Sequence, residues 1–208
     1  MGPRQLRRLG QAFEILLVFI GLPLLFALTE PMPRLLAISL AGLAYLAVLL
    51  NDKTFDKHRF GFNGFKHWNV LILRFSVFAL LLTPLMLLFA PEAYLPEHLR
   101  QGAMWLHLLV GYSVFSVIPQ AIVYRVYFFH RFRDLFKNDE ALILLNACLF
   151  SFLHIVYHNW LALILTLVGG IVFAFTYLHS KSFAVTAIEH ALYGETLFII
   201  GLGTSFTP

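Results

Sequence analysis

Seven runs of apolar residues, each close to the length that crosses a bilayer, decide most of what this chain can become. They are Ala12–Leu28, Leu35–Leu50, Val70–Ala90, Ala103–Phe129, Ala141–Tyr157, Trp160–Leu178 and Phe183–Leu202. A hydrocarbon core takes about 20 residues to cross as a helix and offers the backbone no water, so each run must close its own hydrogen bonds. The reading is an all-α polytopic membrane protein: one domain over residues 1–208, a bundle of about seven transmembrane helices with a polar site inside. Composition agrees, because 60% of the chain is hydrophobic and 12% charged, against about 45–50% and about 25% in soluble domains.

The loops carry the next constraint. Arg4, Arg7 and Arg8 precede the first run, and Thr29-Glu30-Pro31 follows it where a cleavage site would need small residues, so a retained span is expected. Lys and Arg in alternate loops number eleven on the side of the amino terminus, Asn51–Asn69, His130–Glu140 and Lys181, against Arg34 and Arg100 on the other. The positive-inside rule then puts the amino terminus in the cytoplasm and the carboxyl terminus outside, and the short loops suit a bacterial inner membrane. The net charge of +4 lies in short clusters between apolar runs, with no basic stripe and interleaved aromatics, which argues against a nucleic-acid partner. Asn51–Asn69 mixes Lys and Arg with Phe and Trp and is expected to lie at the lipid headgroups. Arg74, near the start of its run, is expected to snorkel there as well. Cys148 is the single cysteine and rules out an intramolecular disulfide.

Within the spans, Ile118–Arg125 (IPQAIVYR) is the irregular stretch. An arginine at that depth costs roughly 2.5–3.5 kcal/mol on insertion scales and calls for an anion. The best local place for one is four residues earlier, and that place is Ala121. Pro119 cannot donate to the Phe115 carbonyl and frees backbone beside Gln120. Of the histidines His107, His154, His158 and His190, His154 and His190 sit on later spans and are expected to share a cavity with Gln120 and Arg125. Glu189 lies beside His190; Glu14 and Glu195 are the other acids in or near spans.

These residues fall into three spaced motifs: Gln120-Ala121-x-x-Tyr124-Arg125, Phe150-x-x-x-His154 and His190-x-x-x-Gly194. In that order they resemble the CAAX-protease and bacteriocin-processing family, glutamic intramembrane endopeptidases related to the Ras-converting enzyme. That family carries Glu-Glu-x-x-x-Arg, Phe-x-x-x-His and His-x-x-x-Asn/Asp on successive spans. The resemblance covers about Val117–Gly194, inside a motif-bearing core of about 103–202. It implies a hydrolase that cuts a membrane-proximal or carboxyl-terminal segment of a membrane-tethered or lipidated protein, among membrane lipids, with no cofactor and no metal. It assigns the catalytic positions to Gln120, Ala121, Arg125, His154 and His190, with Tyr124, Phe150, His158 and Gly194 around the substrate or its oxyanion. A glutamate in the first motif would deprotonate water while histidine and asparagine hold the charged carbonyl oxygen. Here Gln120 and Ala121 replace both glutamates and Gly194 replaces the closing polar residue, so an inactive member is expected, with Ala121 standing for a glutamate removed or lost.

Two other readings stand beside this one. A zinc protease would use His154 and His158, four residues apart on one helical face, with His190 as a third ligand, although Ile155 occupies the place of its glutamate. A scaffold or regulator would use the polar residues only to join helices. Repeated halves that would argue for a transporter are not found in the sequence. Counted from the basic ends of their spans, Gln120 and His190 lie roughly 10–14 Å deep at 1.5 Å per residue. His154 lies much farther, unless the fifth span enters the membrane later than Ala141, as the three motifs together lead one to expect.

Overall fold

The computed structural model describes residues 2–30, 32–62, 68–89 and 104–203, without the side chains of 104, 105 and 107. The expected loop Pro91–Gln101, the His107 side chain and the extreme carboxyl terminus lie outside the described residues. All regular structure within them is helical. We label the elements α1 (Pro3–Thr29), α2 (Arg34–Asn51), α3 (Trp68–Phe89), α4 (from Met104 to Leu135), α5 (Asp139–Leu153), α6 (Trp160–Ser180) and α7 (Phe183–Ile199). Six of them are long and apolar enough to cross a membrane. The remaining one, α7, is 17 residues long and carries Glu189 and His190 buried among its neighbours.

Side-chain caps set the connections. Asn138 accepts the Ala141 amide at 3.2 Å to start α5, Asn159 accepts that of Leu161 at 2.9 Å to start α6, and Ser182 accepts that of Val185 at 3.3 Å to start α7. Each such bond satisfies an amide that a helix start would leave unpaired. Left-handed residues close the preceding turns, with φ of 50° at both His158 and Lys181.

The fourth element is not a plain α-helix. Ser113–Val117 and Ile122–Tyr127 wind as π-helix on either side of the turn Ile118–Ala121 that holds Pro119. The carbonyl that Pro119 cannot serve is taken by α2, whose Ser39 hydroxyl donates to Phe115 O at 3.0 Å. Gly42, one turn further along α2, lets the helices touch: a Cβ there would lie 2.6 Å from Pro119 Cβ. The wide turns therefore come with a partner helix seated on the proline, which meets the demand that freed backbone in a membrane be satisfied by protein.

The basic segments gather at one end of the bundle. Arg7 meets Asp134 at 3.1 Å, Arg131 meets Glu14 at 3.0 Å, His130 meets Asp52 at 2.8 Å, and Ser182 donates to Gly61 O at 2.7 Å. Just inside that end is a layer of aromatic rings, with Phe19 edge-on to Phe128 at 5.4 Å and to Phe132 at 5.8 Å, and Phe129 against Tyr177 at 5.4 Å.

Three expectations change here. The fourth span does not end at Phe129 but continues as helix through Arg131 to Leu135, where Glu14 pairs with Arg131 and Asp139 with Arg133. Arg74 does not turn to lipid: its guanidinium lies 3.9 Å from the buried Glu189 carboxylate and over the Phe175 ring. Of the segment expected at the headgroups, Phe55 is buried against Phe60 and His130 as part of the core, whereas Phe62 is exposed.

Candidate active site

A cavity of about 1010 Å³ reaches from mid-bundle toward the end away from the basic segments. Its walls are largely apolar, with Phe78 and Leu82 from α3, Leu165, Val168 and Phe173 from α6, and Leu197 and Phe198 from α7. One polar strip crosses it, made of Tyr112, Ser116 and Gln120 from α4, His154 and Tyr157 after α5, and His190 from α7. A smaller lobe of about 270 Å³ lies on the other side of Gln120 and His154, between α1, α2 and α4, and Tyr124 lines it.

The strip is assembled by three helices. Asn146, Phe150 and His154 follow at i, i+4 and i+8, one face of a helix. His154 is held by its Nδ1, which donates to Phe150 O at 2.8 Å, since a carbonyl oxygen can only accept. Phe150 is the hub: its ring centroid is 5.0 Å from that of His154, 5.5 Å from His190 and 5.5 Å from Tyr124. His190 also stacks on Phe173 at 4.7 Å. Gln120 donates from Nε2 to Ser116 Oγ at 2.8 Å, and its Oε1 is buried without a hydrogen-bond partner. A carboxamide on a hydroxyl keeps at least one donor and one acceptor position over, whichever way the amide is turned.

Other expected residues are placed elsewhere. Arg125 is 2% exposed and does not line the cavity; it lies behind Phe150, 4.6 Å from the ring centroid, and bonds Asn146 Oδ1 and the Tyr124 carbonyl. It answers its need for an anion with those acceptors and two aromatic faces rather than with position 121, a cation–π arrangement that weighs most where water is excluded. Ala121 is packed with Val117 and Ala187 at the α4–α7 contact, off the cavity. His158 is exposed and left-handed after a 3-10 turn, His154–Tyr157, so it does not share an α-helical face with His154 as the zinc reading expected. Among the described residues no three metal-ligating side chains come together. α5 begins at Asp139 and α4 runs on to Leu135, so Gln120 lies fifteen residues from the basic end of its helix, as His154 does from Asp139.

Gly194 faces the cavity, and its neighbour explains why it is glycine. A Cβ built there would lie 2.0 Å from the Tyr112 hydroxyl, so the tyrosine fills the space of any side chain at 194. Of the acids, Glu189 pairs with Arg74, Glu195 accepts from Ser113 Oγ at 2.8 Å, and Glu14 binds Tyr127 and Arg131. The one carboxylate among the described lining residues is Glu30, at the rim, ion-paired with Arg34, whose guanidinium sits 5.3 Å from the Tyr157 ring.

Sequence reasoning missed Asn146, Tyr112, Ser116 and Tyr157. Asn146 had a signal, a lone carboxamide in an apolar run one helical turn before Phe150. The other three had none, because tyrosine and serine are ordinary in membrane helices.

The family model described as type II CAAX prenyl endopeptidase, Rce1-like, matches residues 102–194. That segment is an Rce1-like domain. It contains all three motifs and runs from α4 to Gly194 of α7, so the fold is that of an integral-membrane protease family whose substrates are proteins. No curated protein and no solved structure matches the chain. Within the Rce1-like domain the first-motif side chain on the cavity is Gln120; α1–α3 lie outside the match and supply the rim, the seat for Pro119 and the smaller lobe's far wall.

Proposed function

We propose that the Rce1-like cavity holds the membrane-proximal or carboxyl-terminal segment of a protein substrate and does not hydrolyse it, acting as a binding or regulatory member of a protease family. The observation that carries this is Gln120: it is the first-motif residue on the polar strip, and a carboxamide cannot take a proton from water. Ala121, the other position where a base would be sought, faces α7. What remains is a large apolar chamber with an uncharged strip of donors and acceptors, suited to an apolar segment carrying a peptide bond.

The test uses a lipidated, photo-crosslinkable peptide and the purified full-length chain. The wild type is expected to crosslink the peptide and leave it uncut. Gln120→Glu is expected to raise hydrolysis by on the order of 10²–10⁴-fold, and His190→Ala in that background to remove it. Cleavage by the wild type would overturn the reading, as would failure of the wild type to bind.

A further inference from the structure

The cavity lies toward one end of the bundle. Most of its described lining residues are remote from the basic loops, with Gln120, Phe173 and His190 near mid-helix, and Glu30 and Met32–Leu35 line it at the far end, where Arg34 meets Tyr157. His154 lies fifteen residues beyond Asp139, roughly 22 Å from the basic end at 1.5 Å per residue. Between the strip and that end stand Arg125 on its aromatic faces and the Phe19–Phe128–Phe132 layer, whose members are buried. Among the described residues no Lys or Arg of the basic loops lines the cavity, whereas Arg34, from the sparsely charged side, does.

We propose that this site is loaded from the non-cytoplasmic leaflet, and that its ligand is the membrane-embedded end of an exported polypeptide rather than a tail presented in the cytosol. The orientation comes from charge: ion pairs and hydrogen bonds bring the eleven-residue side together at one end, and such an end faces the cytoplasm. The rim is then outside. The uncharged strip fits an internal peptide bond, with the apolar flanks on its two sides entering the two lobes that share Gln120, His154 and Tyr157. This inference rests on the binding reading above.

The experiment first measures crosslinking of the lipidated peptide to the full chain in detergent; absence of binding there defeats the binding reading and this one with it. With binding established, single-cysteine chains Met32→Cys and Lys57→Cys, each with Cys148→Ala, are labelled in intact cells with an impermeant maleimide. Met32→Cys should label from outside and Lys57→Cys only after permeabilisation. The peptide, carrying a charged head that cannot cross lipid, is then supplied to right-side-out or inside-out vesicles. Crosslinking is expected in the right-side-out vesicles and lost in the inverted ones. Reversed cysteine labelling, crosslinking in the inverted vesicles or crosslinking in neither overturns the proposal while leaving the binding reading standing.

Discussion

At the scale of single residues, the pair Tyr112 and Gly194 shapes the polar strip as much as Gln120 does. The two cannot both be large, because the tyrosine hydroxyl stands 2.0 Å from where a Cβ at 194 would be. Gly194→Ala is expected to destabilise the chain by roughly 1–3 kcal/mol, the usual range for overpacking. The same substitution beside Tyr112→Ala should cost far less, so unfolding of the four proteins of the cycle in detergent should be strongly non-additive; additive losses would mean the contact is not the constraint. The resemblance assigned Gly194 a place near the substrate, and it faces the cavity, but the residue that fills its space lies over eighty positions away in the sequence. Arg125 teaches the same lesson: its need for a partner was legible, while its partner, Asn146, stands on another helix.

At the scale of elements, α4 shows how a proline is kept inside a membrane helix. Two π-helical stretches flank it, α2 supplies the missing donor from Ser39, and Gly42 allows the approach. Ser39→Ala should cost about 0.5–1.5 kcal/mol, the usual net worth of one hydrogen bond, since this one lies on an exposed face. With Pro119→Ala also present an amide is returned to the Phe115 carbonyl, so the loss should shrink; an undiminished loss would show that Ser39 acts by something other than this bond. The helices themselves were legible because apolar runs in a bilayer admit little else. Their ends were less so, since caps such as Asn138 and the extension of α4 through Arg131 depend on which polar atoms meet in space.

At the scale of the whole molecule, charge and cavity are set apart, the one at the end formed by the basic segments and the other from mid-bundle toward the opposite end. The basic end is tied by Asp52, whose carboxyl is held well below the usual range by its hydrogen bond with His130 and by two more from Thr54. A depressed carboxylate contributes stability above its unfolded value, about 3.9, and that contribution is lost as the pH falls toward the folded value. The wild type should therefore lose thermal stability in detergent below about pH 4. Asp52→Asn should be less stable at neutral pH and flatter in acid, with a small amplitude because the pair is partly exposed; an unchanged acid slope would count against the role of Asp52. The aromatic layer has a last consequence, for traffic. Phe19, Phe128 and Phe132 are buried edge to edge and none of them lines the larger chamber, so a straight path from that chamber to the basic end runs through all three rings.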